Sequence, residues 1–146
     1  MVSGKILLVD DDPEDRDIIR DAMELLGAAD NILFAGNGEQ ALDLLNKDFS
    51  DVETPCPCVI ILDLNMPRLN GTQTLLRLKE DVRFRNIPVI IYSTSINPLE
   101  METCMRSGAH SYITKPVSFD HTMAVVRKFL QFCGDVQPER LVDEMP

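Results

Sequence analysis

Two apolar runs, Ile6-Leu7-Leu8-Val9 and Val59-Ile60-Ile61-Leu62, carry no polar alternation and end directly at aspartate. Such runs predict strands buried on both faces, as in a parallel sheet. Val89-Ile90-Ile91-Tyr92 has the same texture and stops at Ser93-Thr94, while Ser111-Tyr112-Ile113-Thr114 stops at Lys115-Pro116. We label the predicted strands β1 (5–9), β2 (31–35), β3 (58–62), β4 (88–92) and β5 (110–114). Between them the apolar spacing changes to the helical period. Ile18, Ile19, Ala22, Met23, Leu25 and Leu26 predict α1 from Pro13 to Gly27, with Asp12 as its cap. Ala41, Leu42, Leu44 and Leu45 predict α2 over 38–46, capped by Asn37. Leu75, Leu76 and Leu78 predict α3 over 71–80. Leu99, Met101 and Met105 form the thin face of α4, which starts at Asn97-Pro98 and ends at Gly108. Ser118 caps α5, which runs to about Phe132.

Alternating strands and helices with mostly short links predict an α/β fold, a doubly wound five-stranded parallel sheet with right-handed crossovers. Residues 1–133 make one domain and 134–146 a C-terminal tail. The loop 47–57 is longer than the usual αβ connection and carries no assigned role. A chain of 146 residues fits a single domain.

Each strand-end polar group taken alone is ordinary. Asp-Asp-Asp after a strand is commonly a helix cap and solvated loop, a lone Asp commonly a turn former, and Lys-Pro an exposed dipeptide. Their coincidence alters the picture. Asp10-Asp11, Asp63, Ser93 and Lys115 all fall at the C-terminal ends of strands, the edge where open α/β sheets place their ligands. Three carboxylates brought together require a counter-charge, and hard oxygen donors in that number suit Mg²⁺. Asp63 can then act as a nucleophile toward a phosphoryl group, with Lys115 and Ser93 meeting its oxygens.

The formal charge of −10 disfavours direct contact with nucleic acid or an anionic membrane. No segment approaches the ~20 apolar residues of a bilayer span, and no signal peptide is evident. Cys56, Cys58, Cys104 and Cys133 are therefore expected as free thiols in a cytoplasmic protein.

Val9-Asp10-Asp11, Leu62-Asp63-Leu64-Asn65-Met66-Pro67 with Gly71, then Ser93-Thr94, Tyr112 and Lys115-Pro116 resemble, in that order, the response-regulator receiver family of two-component signalling. The resemblance spans residues 5 to about 132 and implies a flavodoxin-like (βα)5 fold with strand order 2-1-3-4-5. It implies that Asp63 accepts a phosphoryl group from a histidine kinase. Asp11, Asp63 and the Asn65 carbonyl would bind Mg²⁺ directly, with Asp10 assisting through water. Ser93 and Lys115 would hold the phosphoryl oxygens, while Asn65 and Thr94 would tune hydrolysis. Ser93 and Tyr112 would switch the α4–β5–α5 surface, and the chain would be no enzyme beyond its own phosphorylation and dephosphorylation. Loop lengths, the short tail and the Asp81–Pro88 connector look similar to stand-alone regulators paired with bacterial phytochromes. That implies a phytochrome-like sensor kinase, a homodimer and a downstream phosphotransfer protein as partners. Two other classes compete. A haloacid-dehalogenase-type phosphatase expects Asp where Asn65 stands, and a flavodoxin-like electron carrier needs a phosphate-cradling loop where this chain is acidic.

Overall fold

The computed structural model describes residues 4–48 and 57–134. The predicted loop 47–57 and tail 134–146 therefore lie largely outside the described residues. The strands are β1 (Ile6–Val9), β2 (Ile32–Ala35), β3 (Val59–Leu62), β4 (Val89–Ser93) and β5 (Ser111–Thr114), all parallel and ordered β2-β1-β3-β4-β5. The helices are α1 (Pro13–Leu25), α2 (Gly38–Asp48), α3 (Gly71–Glu80), α4 (Pro98–Arg106) and α5 (Phe119–Gln131). This is the flavodoxin-like order that the family resemblance implied. A short 3-10 turn, Ala29–Asn31, precedes β2.

Every residue of β1 and β3 is buried, as their unalternated composition requires. One face of the sheet packs on α1 and α5 through Ile19, Met23, Val126 and Phe129. The other packs on the helices from α2 to α4 through Leu45, Leu75, Leu78 and Cys104. Each fully buried aliphatic or aromatic side chain of this kind contributes roughly 1.5–3 kcal/mol before entropy is charged against it.

Helix starts follow the polar residues seen in the sequence. Asp12 accepts from the Glu14 amide at 2.9 Å, Asn37 from Gln40 at 2.9 Å, Asn97 from Leu99 at 2.9 Å and Ser118 from His121 at 3.2 Å. The predicted apolar faces hold less well. Ile18, Leu25, Leu76, Leu99 and Met105 are exposed despite their spacing. On α4 the residues that face the core are Met101, as expected, and Cys104 in place of Leu99 and Met105, so its hold is thin. The link between α3 and β4 buries Phe84 and Ile87.

One expectation is overturned. Cys58, just before β3, and Cys133, just after α5, are joined in a disulfide with Cα atoms 5.2 Å apart, a normal span for such a bond. Only Cys104 remains a free thiol among the described residues, and it is buried. Compartment does not decide which cysteines meet: 75 residues of chain return Cys133 to the foot of β3. Alkylation of the denatured, unreduced protein should leave Cys58 and Cys133 unlabelled until a reductant is added. Full labelling of both beforehand would remove the bond.

Candidate functional site

Strand register sets the site. Val9 pairs with Leu62 and Leu62 with Ile91, while Ser93 pairs with Thr114. Residues immediately after these positions therefore emerge level with one another, which places Asp10, Asp63 and Lys115 along one edge. Backbone bonds continue the ladder for one more step: Asp10 N donates to Ala35 O, Asp63 N to Val9 O and Lys115 N to Ser93 O, at 3.0, 3.0 and 2.8 Å. Asp10, Asp63 and Lys115 are thus carried on extensions of the sheet, not on free loops.

Carboxylate oxygens of Asp10, Asp11 and Asp63 lie within 4.8 Å of one another. Asp10 and Asp63 are buried and Asp11 is exposed. Lys115 lies across this group, its Nζ at 2.8 Å from Asp10 Oδ2 and 3.5 Å from Asp63 Oδ2. Nζ also sits 5.8 Å from the centre of the buried Tyr92 ring. Burial pushes the Asp63 carboxyl up to about 6; Lys115 opposes the rise, and Asp10 and Asp11 add to it. Burial works against the Lys115 ammonium, but its hydrogen bonds to Asp10 and Asp15 and the charges of Asp10 and Asp63 hold it above its ordinary range. Lys115 is therefore a fixed cation, while burial disfavours the charged form of Asp63. An oxygen-lined, solvent-open acidic cluster of this kind fits a hard divalent cation.

The remaining predicted residues surround this centre. Ser93 is fully buried, and its Oγ accepts from the Ser95 amide at 3.1 Å. Tyr112 is buried and its hydroxyl donates to the Ser95 carbonyl at 2.8 Å. Asn65 and Thr94 are exposed, and the Asn65 amide lies 3.4 Å from Asp63 Oδ1. Arg68, four residues beyond the Asp63–Leu64 step, holds a left-handed backbone at φ 64°. Asp12 faces its own helix as a cap, outside the acidic centre, as expected.

Sequence reasoning missed Asp15. Its Oδ2 lies 2.7 Å from Lys115 Nζ, shorter than either other contact. The missed signal was an aspartate in the first turn of α1, the helix that leaves the edge where Lys115 arrives. It also missed Arg16, whose guanidinium donates to the Asp10 carbonyl at 2.7 Å and braces the acidic turn.

Residues 6–127 match the model of the response regulator receiver domain. The chain is 35% identical over 112 residues to a chemotaxis protein CheY homolog of Campylobacter jejuni, covering 77% of this chain and 81% of that protein. It is also similar to a solved structure of the phosphorylated cyanobacterial phytochrome response regulator RcpA (27% identity, TM-score 0.77, 89% of this chain and 93% of that one). A response regulator in red light signalling of R. palustris superposes with TM-score 0.79 at 26% identity, covering 94% and 97% of the two chains. No helix among the described residues is long and apolar enough to cross a membrane.

Proposed function

The chain belongs to the response regulator receiver domain family, and from that premise we propose that it is a single-domain switch phosphorylated on Asp63. The observation that carries this reading is the convergence of Asp10, Asp11 and Asp63 beneath one half-buried lysine. A carboxylate oxygen of Asp63 attacks the phosphorus of a phosphohistidine on a sensor histidine kinase. The P–N bond breaks, the imidazole takes back the electron pair, and an acyl phosphate remains on Asp63. Lys115 and the Ser93 hydroxyl meet the phosphoryl oxygens. Asp10, Asp11, Asp63 and the Asn65 carbonyl would hold Mg²⁺, which supplies positive charge against the transferring oxygens.

The modified Asp63 carries roughly −1.5 to −2 charges and three strong acceptors. That draws the Ser93 hydroxyl away from the Ser95 amide and loosens the loop to which the Tyr112 hydroxyl is bonded. Helix α4, held mainly by Met101 and Cys104, is the segment most readily repositioned. Asn65 and Thr94, both exposed beside the phosphorylation site, tune loss of the phosphoryl group to water. The chain acts as an acceptor and signal, with no catalysis beyond its own phosphorylation and dephosphorylation. The receiver domain occupies residues 1–133, followed by the tail.

Similarity to RcpA and to the red-light regulator supports a phytochrome-like sensor kinase as donor. That donor places the protein in the cytoplasm. A homodimer through α4–β5–α5 and a downstream phosphotransfer protein complete the proposed set of partners.

Intact-mass analysis after incubation with acetyl phosphate and Mg²⁺ tests the reading. One phosphoryl adduct is expected on the wild type, lost in hydroxylamine and absent from Asp63→Asn and from a chelated control. An adduct that persists in Asp63→Asn, or no adduct with acetyl phosphate and phosphorylated sensor kinases alike, would sink it.

A further inference from the structure

Lys115 has three donor hydrogens, and two of them are committed in this structure. Asp10 and Asp15 hold Nζ at 2.8 and 2.7 Å, while Asp63 stands at 3.5 Å, beyond a good hydrogen bond. Resting on the proposed phosphoryl chemistry at Asp63, we infer that Asp15 is a resting-state hold on Lys115 that competes with the incoming phosphoryl group.

The two carboxylates that hold the lysine are not equivalent. The Asp10 side chain is 1% exposed and its Oδ1 accepts from Asp12 N, while its backbone is held by Arg16 at the carbonyl and by Ala35 at the amide. It cannot leave without stranding a buried charge. The Asp15 side chain is 31% exposed and borders a cavity of about 30 Å³ beside Lys115, Tyr92 and Thr122. Its carboxylate can return to water from the first turn of α1, where the helix N-terminus favours negative charge without Lys115. Asp15 is therefore the partner released when phosphoryl oxygens claim the ammonium.

Competition of this kind is reciprocal. Whatever Asp15 withholds from the phosphoryl group, the phosphoryl group withholds from Asp15. Release also cuts a tie between α1 and the end of β5, residues 100 apart in sequence, so the phosphorylated state loosens the α1 end of that connection. Asp15 touches neither Asp63 nor the reacting atoms. It acts through Lys115, as a positioning residue.

Titration of the Mg²⁺-saturated full chain with beryllofluoride, a phosphoryl mimic, gives the test. Asp15→Asn should bind it at least about fivefold more tightly than wild type, with Asp15→Glu close to wild type. The KM for acetyl phosphate should fall in step while the maximal rate holds. Asp17→Asn, which removes an exposed charge from the same helix, should change neither. In the wild type, the Asp15 carboxyl carbon resonance should move on beryllofluoride binding as its lysine contact breaks. Unchanged or weaker binding in Asp15→Asn would overturn the inference. So would equal tightening in Asp17→Asn, or tightening wholly explained by a separately measured rise in Mg²⁺ affinity. A wild type that binds no beryllofluoride would instead overturn the phosphoryl chemistry at Asp63, a distinct outcome.

Discussion

An Asp63→Asn protein should be more stable than the wild type at pH 7.5 in the absence of divalent cations, by up to about 3 kcal/mol. The cause is the burial that lifts the Asp63 carboxyl from 3.8 to about 6. Its side chain is only 8% exposed, so solvent relieves little of the strain. The sign follows from proton binding. Between pH 4 and 6 the folded chain holds a proton at Asp63 that the unfolded chain has lost. Wild-type stability therefore declines as pH rises across that window and levels off above it. Asparagine carries no charge and suffers no such decline. The gap between the two proteins should open from near zero at pH 4 and reach its full size by pH 7, worth about 5–10 °C in Tm for a chain of this length. Millimolar Mg²⁺ should close it from the wild-type side, because the cation binds the folded cluster only. Thermal denaturation across pH, with and without Mg²⁺, decides the matter. An Asn variant less stable than wild type at pH 7.5, or a gap independent of pH, would contradict the burial account of Asp63.

Replacing Gly71 by alanine is expected to damage both stability and phosphorylation. A Cβ at this position would stand 2.2 Å from the Asp63 carbonyl oxygen and 2.6 Å from Leu64 Cα. Both are backbone atoms of the segment that carries the proposed phosphoacceptor, so no side chain can swing aside. The first turn of α3 is pinned against that segment by the Gly71 amide, which donates to Leu64 O at 3.0 Å, and by the Asn70–Gln73 capping box. Relief must come from moving either the helix or the end of β3. We expect a loss of about 2–4 kcal/mol, in spite of the better helix propensity of alanine. Phosphoryl uptake should slow by about 10- to 100-fold, because a displacement near 1 Å at a reacting group has that effect. Unchanged melting together with unchanged uptake would show that the site tolerates a shift the geometry forbids.

The strands and the edge they share were legible in the chain because burial on both faces leaves a direct mark, an apolar run without alternation. The polar residue that ends each run identifies the exit point. Caps were legible for a similar local reason: Asp12, Asn37, Asn97 and Ser118 each satisfy an amide two or three residues away. What escaped is non-local. Asp15 meets Lys115 only because β5 lands beside the start of α1. Cys58 meets Cys133 because α5 runs back along the sheet to the foot of β3. Phe84 escaped for a different reason, since a single aromatic among charges has no period to reveal its burial. The exposure of Leu25, Leu76 and Leu99 shows the opposite error, apolar spacing without a neighbouring element to cover it.

The Cys58–Cys133 bond closes residues 58–133 into a ring and leaves the residues before it as an open arm. The ring contains β3, β4 and β5 with α3, α4 and α5, and with them Asp63, Ser93, Tyr112 and Lys115. Asp10, Asp11 and Asp15 belong to the arm that precedes it. Even in the unfolded chain the proposed phosphoacceptor Asp63, with Ser93 and Lys115, is confined to one loop of polymer, whereas the acidic pair is tethered from one side only. A cut anywhere within the ring leaves the fragments joined. A cut between the arm and the ring separates the carboxylates proposed to hold the cation from the aspartate they serve.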